Sequence, residues 1–173
     1  MKNNNKGFSL VELLVVVAIL GVLAVGTTLT YRAVKSADVR KAASTFDEMM
    51  KSVRTECMGK AEASYLYVYK ENDGFYYVIS STKSSSLGEI KSMSGTQKLC
   101  AKSIDITCET EAGSDDISSG TYVTVSFEKG TGRVKYFCNG TDGGSLTGVT
   151  FSRGGKTSNI VVAYETGKTS LHQ

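Results

Sequence analysis

The chain falls into three stretches that differ in the period of their apolar residues. From Phe8 the sequence FSLVELLVVVAILGVLAVGTTLTY is apolar almost without interruption, and Leu13 to Tyr31 is nineteen residues with no charge. At ~1.5 Å per residue this run makes a helix of roughly 28 Å, close to the hydrocarbon thickness of a bilayer. From Arg32 the apolar positions thin to steps of three and four: Val39, Ala42, Phe46, Met49, Met50, Val53 and Cys57. That spacing predicts an amphipathic helix with one buried stripe, ending near Gly59. Asp47–Lys51 and Glu56–Lys60 read as ion pairs on its exposed face.

Beyond Ser64 the period falls to two. YLYVY and FYYVIS flank Lys70 to Gly74, where Asp73-Gly74 predicts a positive-φ hairpin turn. TYVTVSFE and RVKYFC flank Gly130-Thr131-Gly132, and GVTFS and NIVVAY flank Arg153-Gly154-Gly155-Lys156. Ser80 to Ser86 reads as an exposed loop. The expected fold class is α+β, with a long N-terminal helix packed on an antiparallel β-sheet head.

Composition narrows this picture. A chain of 173 residues with 40% apolar content carries one head and an appendage rather than two cored domains. The net charge is +3, and Lys2 and Lys6 supply two of its positive charges ahead of the apolar run, so the head is near neutral and implies no polyanion partner. The same two lysines orient the apolar segment with its N-terminus in the cytoplasm and the head outside.

Three ordinary roles compete for the apolar segment. A secretory signal peptide explains the lysines and the run, with Ala24-Val25-Gly26 as a cleavage site, but Glu12 is unfavourable in a segment that only translocates. A plain membrane anchor tolerates Glu12 near the interface. A buried core helix would need a larger domain to cover it.

Lys6-Gly7-Phe8-Ser9-Leu10-Val11-Glu12-Leu13-Leu14 resembles the processing site of type IV prepilins and of the pseudopilins of type II secretion and competence systems, and VVVAILGVLA continues the likeness, with Gly21 and Tyr31 at family-preferred positions. The resemblance implies cleavage by a prepilin peptidase after Gly7, methylation of the new Phe8 amine, and assembly through Glu12. It implies a leader at 1–7, a membrane and filament-core helix at 8–31, an amphipathic helix at 32–60 and a β head at 61–173. It further implies polymerisation with like or other pilins, assembly-platform membrane proteins as partners, and membrane lipid around the helix before assembly. The family's helix-kinking proline would fall at Leu29, and the chain has no proline. Gly26-Thr27-Thr28 offers a looser helix there. Leu146 to Thr169 is also loosely similar to H-type minor pseudopilins.

Cleavage at Gly7 creates an ammonium at Phe8, and Glu12 follows one turn later on the same helix face. Paired with a neighbouring subunit, the two charges would neutralise each other and fix how far one helix slides past the next. The expected function is therefore a structural filament subunit at the cytoplasmic membrane and in an extracellular or periplasmic filament. The alternative is a minor or tip subunit whose head binds DNA, a surface or a secreted protein, with Tyr65, Tyr67, Tyr69, Tyr76, Tyr77 and Tyr136 as contacts. Nucleic acid is the weaker partner, because it needs a basic groove.

The remaining motifs carry little chemistry. Cys57, Cys100, Cys108 and Cys138 lack Cys-x-x-Cys spacing and read as disulfide candidates in an exported head. Three pairings are open; the expected one joins Cys100 to Cys108 and leaves Cys57 for Cys138, and the alternative is four buried thiols. His172 reads as frayed and solvated at the chain end. Gly155-Lys156-Thr157 and Gly167-Lys168-Thr169 fail the phosphate-loop spacing and read as turns. Asn139-Gly140-Thr141 reads as a turn, and Asp115-Asp116 with Glu109 and Glu111 as a solvated acidic loop without calcium spacing. No cofactor, metal or catalytic constellation is expected, so the chain is read as a non-enzyme.

Overall fold

The computed structural model describes residues 9–59 and 62–172, with the side chains of 24–32 outside the description. The chain divides into two compact units, Met1–Lys35 and Ser36–Gln173. Helix α1 is Leu10–Gly59. In the first unit the Ser9 carbonyl accepts from the backbone N–H groups of Glu12 and Leu13 at 3.0 and 3.1 Å, which starts the helix. Its backbone stays helical through Gly26-Thr27-Thr28. Among the described residues no helix is long and apolar enough to cross a membrane. The span expected at 13–31 runs into residues 24–32, whose side chains lie outside the description.

The second unit is an α+β head. Its helical part buries Val39, Ala42, Phe46, Met49, Met50, Val53 and Cys57, the stripe expected from the three- and four-residue steps, and Ala43 beside them. The strands among the described residues are β1 Tyr65–Glu71, β2 Gly74–Ser80, β3 Gln97–Ala101, β4 Asp105–Thr110, β5 Gly113–Asp116, β6 Tyr122–Phe127, β7 Val134–Cys138, β8 Thr141–Gly144, β9 Leu146–Arg153, β10 Lys156–Ala163 and β11 Lys168–His172. They form two antiparallel sheets rather than one, ordered β3-β2-β1-β6-β7-β8 and β11-β10-β9-β4-β5. The chain changes sheet at β3–β4, β5–β6 and β8–β9.

One core gathers the α1 stripe and residues from both sheets, with the Phe46 and Phe151 rings 5.6 Å apart. A second cluster, Tyr67, Tyr69, Val78, Ile90 and Tyr122, lies on the opposite face of the first sheet. The short helix α2, Leu87–Ser92, contributes Ile90 to it. Strand β1 therefore buries both faces, which is why YLYVY carries large apolar residues without a gap.

Polar contacts tie the helix to the second sheet. Asp38 pairs with Arg153, Asp47 accepts from the Thr169 hydroxyl and from Lys51 at 2.6 Å, and Arg54 Nε donates to the Thr166 carbonyl at 2.8 Å. Asp47 is buried, so its pair with Lys51 is not the surface pair expected from sequence. Burial follows from the Thr169 hydroxyl, which brings β11 over the carboxylate. Lys60 lies outside the described residues, and with it the second expected pair.

Three further expectations change. Glu71 pairs with Gly74, so Asn72-Asp73 form the β1–β2 turn. Gly74 does not have positive φ. Its lack of a side chain serves close approach instead, because a Cβ would lie 2.3 Å from the Cys100 carbonyl oxygen of β3. The loop after β2 is anchored at Ser84, which is buried: its N–H donates to the Tyr67 hydroxyl at 2.8 Å, and that hydroxyl donates to the Thr82 carbonyl at 3.0 Å. His172 is held in β11 opposite Asn159 rather than frayed. The Gly154-Gly155 turn forms as expected, with φ of 57° and 77°.

Phe46 is fully buried between helix and sheet, whereas Val161 is half exposed. In the full chain in detergent, Phe46→Ala should cost about 3–5 kcal/mol and Val161→Ala no more than about 0.5 kcal/mol, read from denaturant midpoints.

Candidate functional site

Gly7 and Phe8, the expected cleavage and methylation positions, lie outside the described residues. Glu12 lies within them, in the first turn of α1, and is exposed. Unsatisfied N–H groups make that end of a helix partially positive, so a carboxylate is stabilised there by roughly 0.3–1 kcal/mol. Around it, Leu10, Val11, Leu13, Leu14, Val15, Val16, Val17, Ile19, Leu20, Val22 and Leu23 are all exposed. Every residue from 10 to 23 is exposed, so no face of these turns is covered. Gly21 sits in open space: a Cβ would meet nothing within 4 Å, so nothing in the chain's own packing requires a glycine.

Within the head the four cysteines are free thiols, and neither expected disulfide is present. The topology explains why. Cys57 is on the helix, where its Sγ lies 3.2 Å from the Ser64 carbonyl and 3.3 Å from the Ser64 N–H. Cys100 is on β3 at an edge of the first sheet, and Cys108 is on β4 in the second. Burial pushes the Cys100 and Cys108 thiols up to about 12, which keeps both protonated at neutral pH.

Each acidic side chain of the expected loop is engaged by a hydroxyl except Glu111. Thr107 donates to Asp116 at 2.6 Å, Tyr136 to Asp115 at 3.0 Å and Thr150 to Glu109 at 2.5 Å. Among the described residues no group of three or more His, Cys, Asp or Glu is arranged to hold a metal. Asn139 adopts φ 49° and its Oδ1 accepts from the Tyr122 N–H at 2.9 Å, which makes Asn139-Gly140 the β7–β8 turn. Gly155 and Gly167, with φ of 77° and 63°, likewise build turns.

Of the tyrosines offered as binding contacts, Tyr67, Tyr69 and Tyr136 are buried, while Tyr65, Tyr76 and Tyr77 are partly exposed. Tyr65 borders a recess of about 440 Å³ with Lys83, Arg133, Lys135, Phe137 and Tyr164. Its charge is largely spoken for: Arg133 pairs with Glu165 at 2.7 Å, and the Lys83 ammonium sits 4.6 Å from the Phe137 ring centre. The sequence pattern gave no sign of this recess, because it joins residues from widely separated segments of the head.

The apolar turns and the carboxylate at their start are thus the feature that the chain leaves uncovered. Residues 2–28 match the family described as the prokaryotic N-terminal methylation motif. The chain carries a type IV pilin/pseudopilin class III signal. That signal supports a pilin/pseudopilin-type precursor, and it contains the whole exposed apolar segment together with Glu12. Comparison with curated proteins and with solved structures gives no match.

Leu20 lies within the exposed apolar turns that the motif covers. Exchanging a leucine for a lysine near the middle of a membrane helix changes insertion by about 3–4 kcal/mol. Leu20→Lys should therefore lower the ratio of membrane-retained to released protein roughly 100-fold in alkaline extraction of cell membranes, and an unchanged ratio would contradict a lipid-facing role.

Proposed function

We propose that this chain is a structural subunit of a type IV pilus-like filament, inserted in the membrane by its apolar helix and assembled through that helix after the leader is removed. The single observation that carries the reading is the fully exposed apolar surface from Leu10 to Leu23, interrupted only by Glu12 among charged residues. Burying a Val, Leu or Ile side chain is worth about 1.5–3 kcal/mol, so eleven of them cannot be left in water. Lipid covers them before assembly, and neighbouring helices do so in the filament. The leader at 1–7, the core helix at 8–31, the amphipathic helix at 32–60 and the head at 61–173 are the working divisions.

In the proposed mechanism the peptidase cuts after Gly7, and the Phe8 ammonium of one subunit meets the Glu12 carboxylate of its neighbour. Lipid disfavours both charges, and pairing removes the penalty only at one axial offset, which sets register. Gly21 fits the same scheme. It costs about 1 kcal/mol relative to Ala within one helix, and it allows a second helix backbone to come close. Partners are further copies or other pilins, the peptidase and the membrane assembly platform. The head then serves as the outward-facing part, with no enzymatic role assigned to it.

Mass spectrometry of the mature protein tests the first step: a methylated Phe8 terminus is expected, and a terminus at Thr27 or an intact Met1 leader would defeat the reading. Glu12→Gln removes the charge while preserving size. It should leave cleavage intact and reduce sheared surface filaments at least 10-fold, whereas normal filament yield would show that the carboxylate is not the docking group.

A further inference from the structure

Two thiols, a phenol and a carboxylate from both sheets lie around one contact between β5 and β7. Tyr136 and Cys138 are two residues apart on β7 and so share a face. The Tyr136 hydroxyl donates to Asp115 Oδ2 at 3.0 Å, crossing from the first sheet to the second. Asp115 stands directly opposite Cys108 in the β4–β5 ladder, which puts their side chains on one face as well. Burial raises both the Cys108 and the Cys138 thiol. Cys108 is fully buried, while Cys138 lines a cleft of about 370 Å³ between β5 and β8, together with Thr110, Ser114, Asp115 and Thr141.

The other two cysteines stand elsewhere. Cys57 is held against Ser64 at the end of α1. Cys100, on β3, is four strands from β7 within the first sheet, or about 19 Å at the usual strand spacing. The only pairing that the topology brings to one point is therefore Cys108 with Cys138, which differs from both pairs expected from sequence.

We propose that Cys108 and Cys138 form a redox pair that closes into a disulfide joining the two sheets, by exchange with a small-molecule or protein disulfide. Cys138, reached through the cleft, gives up its proton and attacks one sulfur of the oxidant, whose other sulfur leaves as a thiolate. Cys108 then gives up its proton and attacks the Cys138 sulfur of the mixed disulfide, releasing the second thiolate. Two protein thiols and one disulfide yield one protein disulfide and two thiols. The bond would close the loop from 108 to 138 and raise the Tm of the head by about 10 °C. The proposal does not depend on filament assembly.

Each cysteine falls on its own tryptic peptide, 55–60, 99–102, 103–129 and 136–153, so digestion without reductant identifies the pairing. The full chain in detergent is treated with oxidised glutathione, free thiols are alkylated, and the peptides and the Tm are measured. Peptide 103–129 linked to 136–153 is expected, with the Tm rise over the reduced protein. Both should vanish in Cys138→Ser and persist in the double variant Cys57→Ser, Cys100→Ser. Four alkylated thiols after prolonged oxidation, a cross-link that uses Cys57 or Cys100, or a Cys108–Cys138 link without a Tm rise would each overturn the proposal.

Discussion

An apolar helical surface with no face to hide is the constraint on which the rest turns. Fourteen consecutive exposed residues, from Leu10 to Leu23, include eleven large aliphatic side chains. A helix in a soluble head hides such residues by confining them to a stripe, and these turns have no polar face that would make confinement possible. The cover must come from outside the chain. The class III signal at residues 2–28 coincides with this segment, so the chemical instruction for processing and the physical need for cover are written in the same residues.

The later turns of α1 solve the opposite problem. Their apolar residues fall in one stripe, which shares a core with residues of both sheets. The polar clamps Asp38–Arg153, Asp47–Thr169 and Arg54–Thr166 all join helix to second sheet. They fix the helix along its axis and in rotation, which packing of smooth aliphatic surfaces does poorly. Asp47 illustrates the cost and its remedy: a buried carboxylate is tolerated because Lys51 and the Thr169 hydroxyl both serve it. The stripe is thus covered within the head, whereas the apolar side chains of residues 10–23 are exposed.

What the sequence makes legible follows from how strongly burial dictates residue type. The α1 stripe could be read residue by residue because a half-buried helix demands period 3.6, and β6 and β10 because aliphatic and aromatic runs flanked by glycine turns leave few choices. The division into two sheets was not legible. Strands β5 and β8 read GSDD and TDGG, which carry no apolar alternation, since edge strands are held by backbone ladders rather than by buried side chains. Gly74 was assigned to a turn when its real demand is the nearby Cys100 carbonyl, a long-range contact that no local pattern encodes. The cysteine pairing is no better encoded locally: sequence separation favours Cys100 with Cys108, and the chain changes sheet between them.

In the proposed filament role, hydrophobicity alone would not lift the subunit out of a membrane, because lipid tails would already satisfy its aliphatic side chains. Any preference for a bundle of helices over lipid must come from terms that lipid cannot supply. Two are written into the first turns. Gly21 offers close backbone approach that its own chain does not use, and Glu12 carries a charge whose cost lipid does not relieve. A carboxylate near the helix start is mild enough for insertion, since penalties fall toward the interface, yet unsatisfied enough to favour a cationic neighbour. Moved two turns deeper it would obstruct insertion; removed altogether it would leave the helix content in lipid. On the proposed reading, the position of Glu12 balances entry into the membrane against departure from it.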